Sequence, residues 1–105
     1  VQKAKEVNEK VNPDIHTFTG IVASGDQFIA SKEAKEKIVT NFHAFCAEME
    51  GAAIAHAAYL NKVSCVIIRA ISDKADNSAV MDYPEFEKRA IRQNVRLVTE
   101  LVAEI

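Results

Sequence analysis

The chain has 105 residues, which suits one compact domain and leaves no room for a second of ordinary size. Hydrophobic residues make up 49% and charged residues 27%, so the chain can build a core. The net charge of −2, without a Lys/Arg block, argues against nucleic-acid or membrane partners, and no apolar run approaches the ~20 residues that cross a bilayer. The start lacks the apolar region of a signal peptide. We expect a single domain over residues 1–105, a cytoplasmic location and a small-molecule partner.

The first half of the chain predicts two helices and two strands. Residues 1–11 form a polar helical pattern, and the β-branched and aromatic run 15–24 (IHTFTGIVAS) predicts a buried strand. Ser31 is a predicted N-cap of a charged helix (SKEAKEKIVTNF) with Lys and Glu at i,i+4 spacing. Residues 44–49 then predict a short strand.

The second half predicts a parallel β-α-β unit followed by a long helix. Residues 51–60 form a small-residue helix and residues 63–71 (VSCVIIRAI) an apolar strand, and a crossover of this length suits a right-handed parallel connection. We therefore expect a mixed or parallel sheet flanked by helices. Pro84 at the first helical position begins the last helix. Its apolar stripe predicts core packing and consists of Phe86, Ala90, Val95, Val98, Leu101, Val102 and Ile105.

Two glutamates stand where the second strand meets the small-residue helix. In an extended segment Glu48 and Glu50 point to the same side, ~6.5 Å apart. A buried carboxylate without a partner would cost several kcal/mol, so at least one of them should meet a cation or a ligand. Arg69 is the one charged residue in its apolar strand and is the obvious cation. By residue chemistry alone, a salt bridge that supports the sheet and a ligand site both remain open.

Three segments together resemble one known family: GDQFI (25–29), AEMEGAAIAHAA (47–58) and VIIRAISDKAD (66–76). In this order and spacing they are similar to the C-terminal half of 5′-methylthioadenosine/S-adenosylhomocysteine nucleosidases, of the nucleoside phosphorylase/hydrolase superfamily. The resemblance implies an α/β fold, a three-layer αβα sandwich around a mixed sheet, of which this chain is the C-terminal part. It also implies a homodimer that hydrolyses the N-glycosidic bond of adenine thionucleosides in methionine salvage, without a metal or cofactor.

The resemblance also implies catalytic roles for particular residues. Asp73 resembles the acid that protonates adenine at N7, and Ser72 the neighbour that orients it; general acids typically contribute 10²–10⁴-fold. Glu50 resembles the carboxylate that accepts hydrogen bonds from the two ribose hydroxyls. Arg69 resembles the residue near the ribose and the attacking water, where it could pair with Glu50 as well.

Further residues are implied to shape the substrate pocket. Phe28 resembles the ring that stacks on adenine, and the backbone of Ile29 the group that reads the edge of the base. Met49 resembles the residue that packs against the ribose, and Tyr83 the aromatic that closes over the nucleoside. Glu48 either lines the pocket or pairs with a neighbouring residue.

Two other functions remain as alternatives. A purine nucleoside phosphorylase of the same superfamily would use phosphate in place of water. The sequence RAISDKAD (69–76) favours the nucleosidase. A non-catalytic nucleoside-binding protein on this fold would be expected to lose the acid, whereas Asp73 and Glu50 are both present. The general base for the water and part of the pocket are expected in an N-terminal half that this sequence lacks. The preference between methylthioadenosine and S-adenosylhomocysteine is therefore not readable from these residues.

Overall fold

The computed structural model describes residues 1–71 and 83–105, with only the backbone described for Tyr83. Helices combine with a pair of parallel strands, which confirms the α/β class. The elements are α1 (Gln2–Val11), β1 (Ile21–Ser24), α2 (Lys32–Phe42), β2 (Ala44–Glu48), α3 (Gly51–Leu60) and α4 (Tyr83–Glu104). The described residues fall into two compact units, 1–19 with 83–105, and 20–71. A single domain over the whole chain stays a prediction.

The first unit is built by packing α1 against α4. Val7 and Leu97 are buried in its core, and Asn12, directly after α1, is fully buried. The Asn12 amide nitrogen donates to Oδ1 of Asn8 at 2.8 Å and to the backbone carbonyl of Gln93 at 3.0 Å. Because these bonds satisfy a buried polar side chain, they tie the end of α1 to α4. The predicted first helix is confirmed.

The apolar stripe on α4 is only partly in a core, so the prediction of core packing was wrong for part of it. Phe86, Ala90 and Leu101 are half-buried. The exposed members of the stripe range from 48% to 83% accessible and are Val95, Val98, Val102 and Ile105. A helix that packs on one neighbouring helix can bury only one of its faces, and in this unit α1 is that neighbour.

The second unit contains the parallel strands, which α2 connects. Ser31 caps α2 as predicted, since its hydroxyl accepts from the backbone N–H of Ala34 at 3.1 Å. His43 ends this helix in the left-handed conformation with φ 53°, and β2 begins at the next residue. The pairing starts with Ile21 opposite Ala44, shifts register once, and ends with Ser24 opposite Glu48. The carboxyl ends of β1 and β2 therefore lie side by side.

Two strand predictions need correction. Residues 15–20 are not part of β1, and residues 63–71 form no strand within the part of the chain that the structure describes. The β-α-β unit therefore joins β1 and β2 instead of residues 44–49 and 63–71. Val63, Val66 and Ile71 are exposed. A strand that is apolar on both faces is stable only between neighbouring strands and beneath helices, and the described residues supply no ladder for it.

Candidate active site

The candidate site lies where β2 ends and α3 begins. Glu48 is the last residue of β2, Gly51 is the first of α3, and Met49 and Glu50 link them. Ligands of α/β proteins bind outside the carboxyl ends of strands, where helix N-termini also present unpaired N–H groups. The parallel register places Ser24 at the same edge of the sheet.

The carboxylate of Glu48 is enclosed by donors, and its side chain is only 7% exposed. Both carboxylate oxygens accept from the backbone N–H of Gly51 at 2.8 Å, and Oε2 also accepts from the backbone N–H of Glu50 at 3.1 Å. The guanidinium of Arg69 donates to the same oxygen. Glu48 thus binds the backbone N–H groups of Glu50, the N-cap of α3, and of Gly51, its first residue, which the helix itself leaves unpaired.

This close approach requires a glycine at the first position of α3. A Cβ added to Gly51 would lie 2.6 Å from Oε1 of Glu48 and 3.1 Å from its carboxyl carbon. Ordinary van der Waals contact is about 3.4 Å or more, so an alanine would displace the carboxylate. Gly51 therefore leaves the space that the Glu48 carboxylate occupies, and its φ is not positive.

The hydrogen bonds keep Glu48 ionised. Burial by itself raises the pKa of Glu48, but hydrogen bonds from the Ser24 hydroxyl, from the backbone N–H groups of Glu50 and Gly51, and from Arg69 outweigh it and lower the pKa to about 2. For Arg69, burial acts to lower the pKa, while its bonds to the two glutamates raise the pKa above the usual value. At neutral pH the two groups form a charged pair.

Glu50 is held differently, because its carboxylate is open to solvent. Its side chain is 64% exposed, and Oε2 accepts from Nη2 of Arg69 at 2.7 Å and from the backbone N–H of Met49 at 3.3 Å. Arg69 therefore bridges both carboxylates, which confirms the ion pair predicted from sequence. One carboxylate of the cluster is used inside the fold, and the other faces outward where a ligand can reach it.

The predicted base-contacting residues lie beyond the end of β1. Phe28 and Ile29 belong to the irregular segment between β1 and α2, and the ring of Phe28 is 78% exposed. Met49 is also exposed, beside Glu50. The side chains of Phe28 and Met49 are therefore accessible, whereas Ile29 is half-buried. Met49 is joined to the Glu48, Glu50 and Arg69 cluster by its backbone N–H, which donates to Oε2 of Glu50.

Three predicted site residues fall outside the description. Ser72 and Asp73 lie outside the residues that the structure describes, and of Tyr83 only the backbone is described. Their roles stay predictions. Among the described residues, no three His, Cys, Asp or Glu side chains converge on a place that could hold a metal ion. None of the described helices combines the length and apolarity needed to cross a membrane.

Ser24 belongs to the cluster, although the sequence did not single it out. Its hydroxyl oxygen accepts from the backbone N–H of Ala52 at 3.0 Å and its hydroxyl group donates to the carboxylate of Glu48. The available signal was a serine at the carboxyl end of a strand, directly before Gly25. Only the strand register reveals that this serine faces Glu48.

The family of the chain follows from comparison with known proteins. The protein-family sequence model that describes the phosphorylase superfamily matches residues 1–103 of this chain. This chain belongs to the phosphorylase superfamily. Among curated members, the 5′-methylthioadenosine/S-adenosylhomocysteine nucleosidase of Treponema pallidum is 44% identical over 85 residues, which are 79% of this chain and 32% of that protein. The aminodeoxyfutalosine nucleosidase of Helicobacter pylori is 41% identical over 86 residues, which are 82% of this chain and 37% of that protein.

Solved structures of this superfamily have the same fold. The futalosine hydrolase of Helicobacter pylori superposes with a TM-score of 0.81 at 38% identity, covering 99% of this chain and 44% of that one. The 5′-methylthioadenosine/S-adenosylhomocysteine nucleosidase of Helicobacter pylori, solved in complex with a pyrrolidin-3-ol derivative, gives a TM-score of 0.81 at 36% identity with the same coverage. The predicted fold class and resemblance are confirmed. The similarity to aminodeoxyfutalosine nucleosidases was not anticipated, and this chain spans less than half the length of these relatives.

Proposed function

We propose that the full-length protein hydrolyses the N-glycosidic bond of 5′-methylthioadenosine and S-adenosylhomocysteine. The full-length protein means the longest natural chain that contains these 105 residues. The observation that carries this proposal is the solvent-open carboxylate of Glu50, held by Arg69 at the carboxyl end of a parallel strand pair. Two nucleosidase relatives support it: the Treponema protein is similar to this chain in sequence, and the Helicobacter protein in both sequence and fold.

Glu50 provides the group that recognises the sugar. A carboxylate has two acceptor oxygens, which match the two adjacent hydroxyls of a ribose. Its negative charge also favours the positive, oxocarbenium-like sugar that develops as the glycosidic bond breaks. Arg69 is 37% exposed and bonded to Glu50, and in this proposal it contacts the ribose or the water that attacks it.

Asp73 is the proposed general acid. Its proton goes to N7 of adenine while the bond between C1′ and N9 breaks, so that adenine leaves as a neutral base. The oxygen of water bonds to C1′, and the proton of that water passes to a general base that we place outside these 105 residues. Ser72, next to Asp73 in the chain, is proposed to orient the acid.

The remaining contacts bind the nucleoside by shape. The exposed ring of Phe28 is available to stack on the purine, and the backbone of Ile29 to bond its edge. Met49, also exposed, packs against the ribose in this proposal, and Tyr83 covers the bound nucleoside. The proposal includes a cytoplasmic homodimer that needs no metal or cofactor.

A second candidate substrate is aminodeoxyfutalosine. Proteins named as nucleosidases for it, in Helicobacter pylori and Campylobacter jejuni, are 41% and 38% identical to this chain. The cluster around Glu50 contacts the ribose in either case, so it does not decide between the two substrates. A purine nucleoside phosphorylase and a non-catalytic binding protein are the remaining alternatives, and the nucleosidase names of the relatives weigh against both.

The experiment is product analysis with and without phosphate. The full-length protein is incubated with 5′-methylthioadenosine or aminodeoxyfutalosine, and the released base and the sugar product are separated and quantified. We expect phosphate-independent base release that falls at least about 100-fold in Asp73→Asn, the contribution of a general acid, and is unchanged in the exposed control Asp14→Asn. Release that requires phosphate and yields a sugar phosphate would assign a phosphorylase. Tight nucleoside binding without release would assign a non-catalytic protein.

A further inference from the structure

We propose that Glu48 is a positioning residue: it fixes the backbone of Glu50 and neutralises Arg69, and it does not itself touch the substrate. This inference rests on the proposed role of Glu50 in binding the ribose. The two glutamates are two residues apart in the chain, yet their environments differ sharply, with side chains that are 7% and 64% exposed.

The hydrogen bonds of Glu48 leave no acceptor for a sugar hydroxyl. An ionised carboxylate offers about four acceptor positions. Glu48 uses them for the N–H groups of Gly51 and Glu50, for the guanidinium of Arg69 and for the hydroxyl of Ser24. A substrate hydroxyl would have to displace one of these donors and leave it unpaired.

The same bonds fix the position of Glu50 from two sides. Its backbone N–H is bonded to Glu48 at 3.1 Å, and its carboxylate is bonded to Arg69, which Glu48 also holds. Gly51 allows this arrangement, because any Cβ there would push the Glu48 carboxylate away. Without the Glu48 carboxylate, the backbone N–H of Glu50 and the guanidinium of Arg69 would both lose a hydrogen-bond partner. Glu50 would then be less well positioned.

The charges of the cluster support this division of roles. Two glutamates and one arginine carry a net charge of −1 when all three are ionised. Because Glu48 is the buried partner of Arg69, it takes up the positive charge and leaves the charge of the exposed Glu50 for the sugar. A positive sugar in the transition state then faces a net negative site.

The test compares Glu48→Gln and Gly51→Ala in the full-length protein. Gln keeps the size of Glu48 but removes its charge, while Ala at position 51 keeps the charge and displaces the carboxylate. The matched control for the second variant is Gly25→Ala, because an added Cβ at Gly25 meets nothing within 4 Å. For each protein, kcat/KM is measured for 5′-methylthioadenosine and for its 2′,3′-dideoxy analogue. The two substrates differ in intrinsic reactivity, but this difference is the same for every variant. It therefore cancels when the ratio of the two kcat/KM values is compared between variants.

We expect wild type and Gly25→Ala to have a high ratio of kcat/KM for the diol substrate to kcat/KM for the dideoxy analogue. In both test variants this ratio should fall at least tenfold. Their kcat/KM for the dideoxy analogue should stay close to that of wild type. A structural role alone would lower both rates equally, and that result, or an unchanged preference, would overturn the role of Glu48. A ratio that Glu50→Gln leaves equal to that of wild type would instead overturn the ribose role of Glu50 and the proposed function with it. If one test variant fails to fold, the other still decides the question.

Discussion

Arg69 contacts two carboxylates, and the structure predicts that they contribute unequally to stability. The perturbation is a pair of double-mutant cycles, one that combines Arg69→Gln with Glu48→Gln and one that combines it with Glu50→Gln. Each cycle isolates the coupling free energy between Arg69 and one glutamate from the other effects of each substitution. The Glu48 side chain is 7% exposed, whereas that of Glu50 is 64% exposed.

The expected magnitudes follow from this difference in exposure. An ion pair with a solvent-exposed carboxylate contributes about 0–1 kcal/mol, since water screens the charges and competes for the bond. A charge-assisted hydrogen bond to a carboxylate shielded from water contributes about 1.5–3 kcal/mol. We therefore expect the coupling of Arg69 to Glu48 to exceed its coupling to Glu50 by about 1–2 kcal/mol.

The assay is urea unfolding of the full-length protein at pH 7, with the free energy of unfolding extrapolated to water for wild type, three single and two double variants. Far-UV circular dichroism of each variant in buffer confirms that it is folded before unfolding. Equal couplings, or a larger coupling to Glu50, would refute the assignment of Glu48 as the shielded partner.

Two further predictions concern stability. The pKa of Glu48 is lowered from its ordinary 4.5 to about 2, so its contribution is complete above pH 4.5 and is lost as pH falls towards 2. Urea unfolding free energies should therefore fall more steeply over this range in wild type than in Glu48→Gln, and parallel slopes would contradict the lowered pKa. In the first unit, Asn12→Ala should cost about 2–3 kcal/mol, because it leaves buried bonding partners unpaired. The exposed ion-pair variant Lys10→Ala should unfold at nearly the wild-type urea concentration, and equal losses in both would refute this reading of the Asn12 network.

The sequence predicted features that depend on nearby residues, and it also predicted the pairing of a charge that stands alone in an apolar run. The cap at Ser31 and the small-residue helix from Gly51 to Leu60 were readable because each is determined within a few residues of chain. The pairing of Arg69 with the glutamates was readable because Arg69 is the one charged residue in its apolar run. Ordinary chemical rules for buried charge were enough for that step.

The predictions that failed, and the residue that was missed, depend on partners distant in the chain. Residues 63–71 have a strand pattern, but a strand needs neighbours that a local pattern cannot supply. Most members of the stripe on α4 have helical spacing, yet α1 covers only part of it. Ser24 faces Glu48 only because β1 and β2 pair in one register after a shift between Ile21 and Val22. Sequence alone does not fix that register.

The central claim is that Glu50 binds the ribose diol, and one binding measurement tests it most directly. Isothermal titration of the full-length Asp73→Asn variant, in which turnover is expected to be slow, gives the dissociation constants of 5′-methylthioadenosine and its 2′,3′-dideoxy analogue. Hydrogen bonds to a charged group contribute about 1.5–3 kcal/mol, so we expect the dideoxy analogue to bind at least about tenfold more weakly, and adding Glu50→Gln to remove most of that difference. Equal affinities for the two nucleosides in the Asp73→Asn variant would contradict the claim.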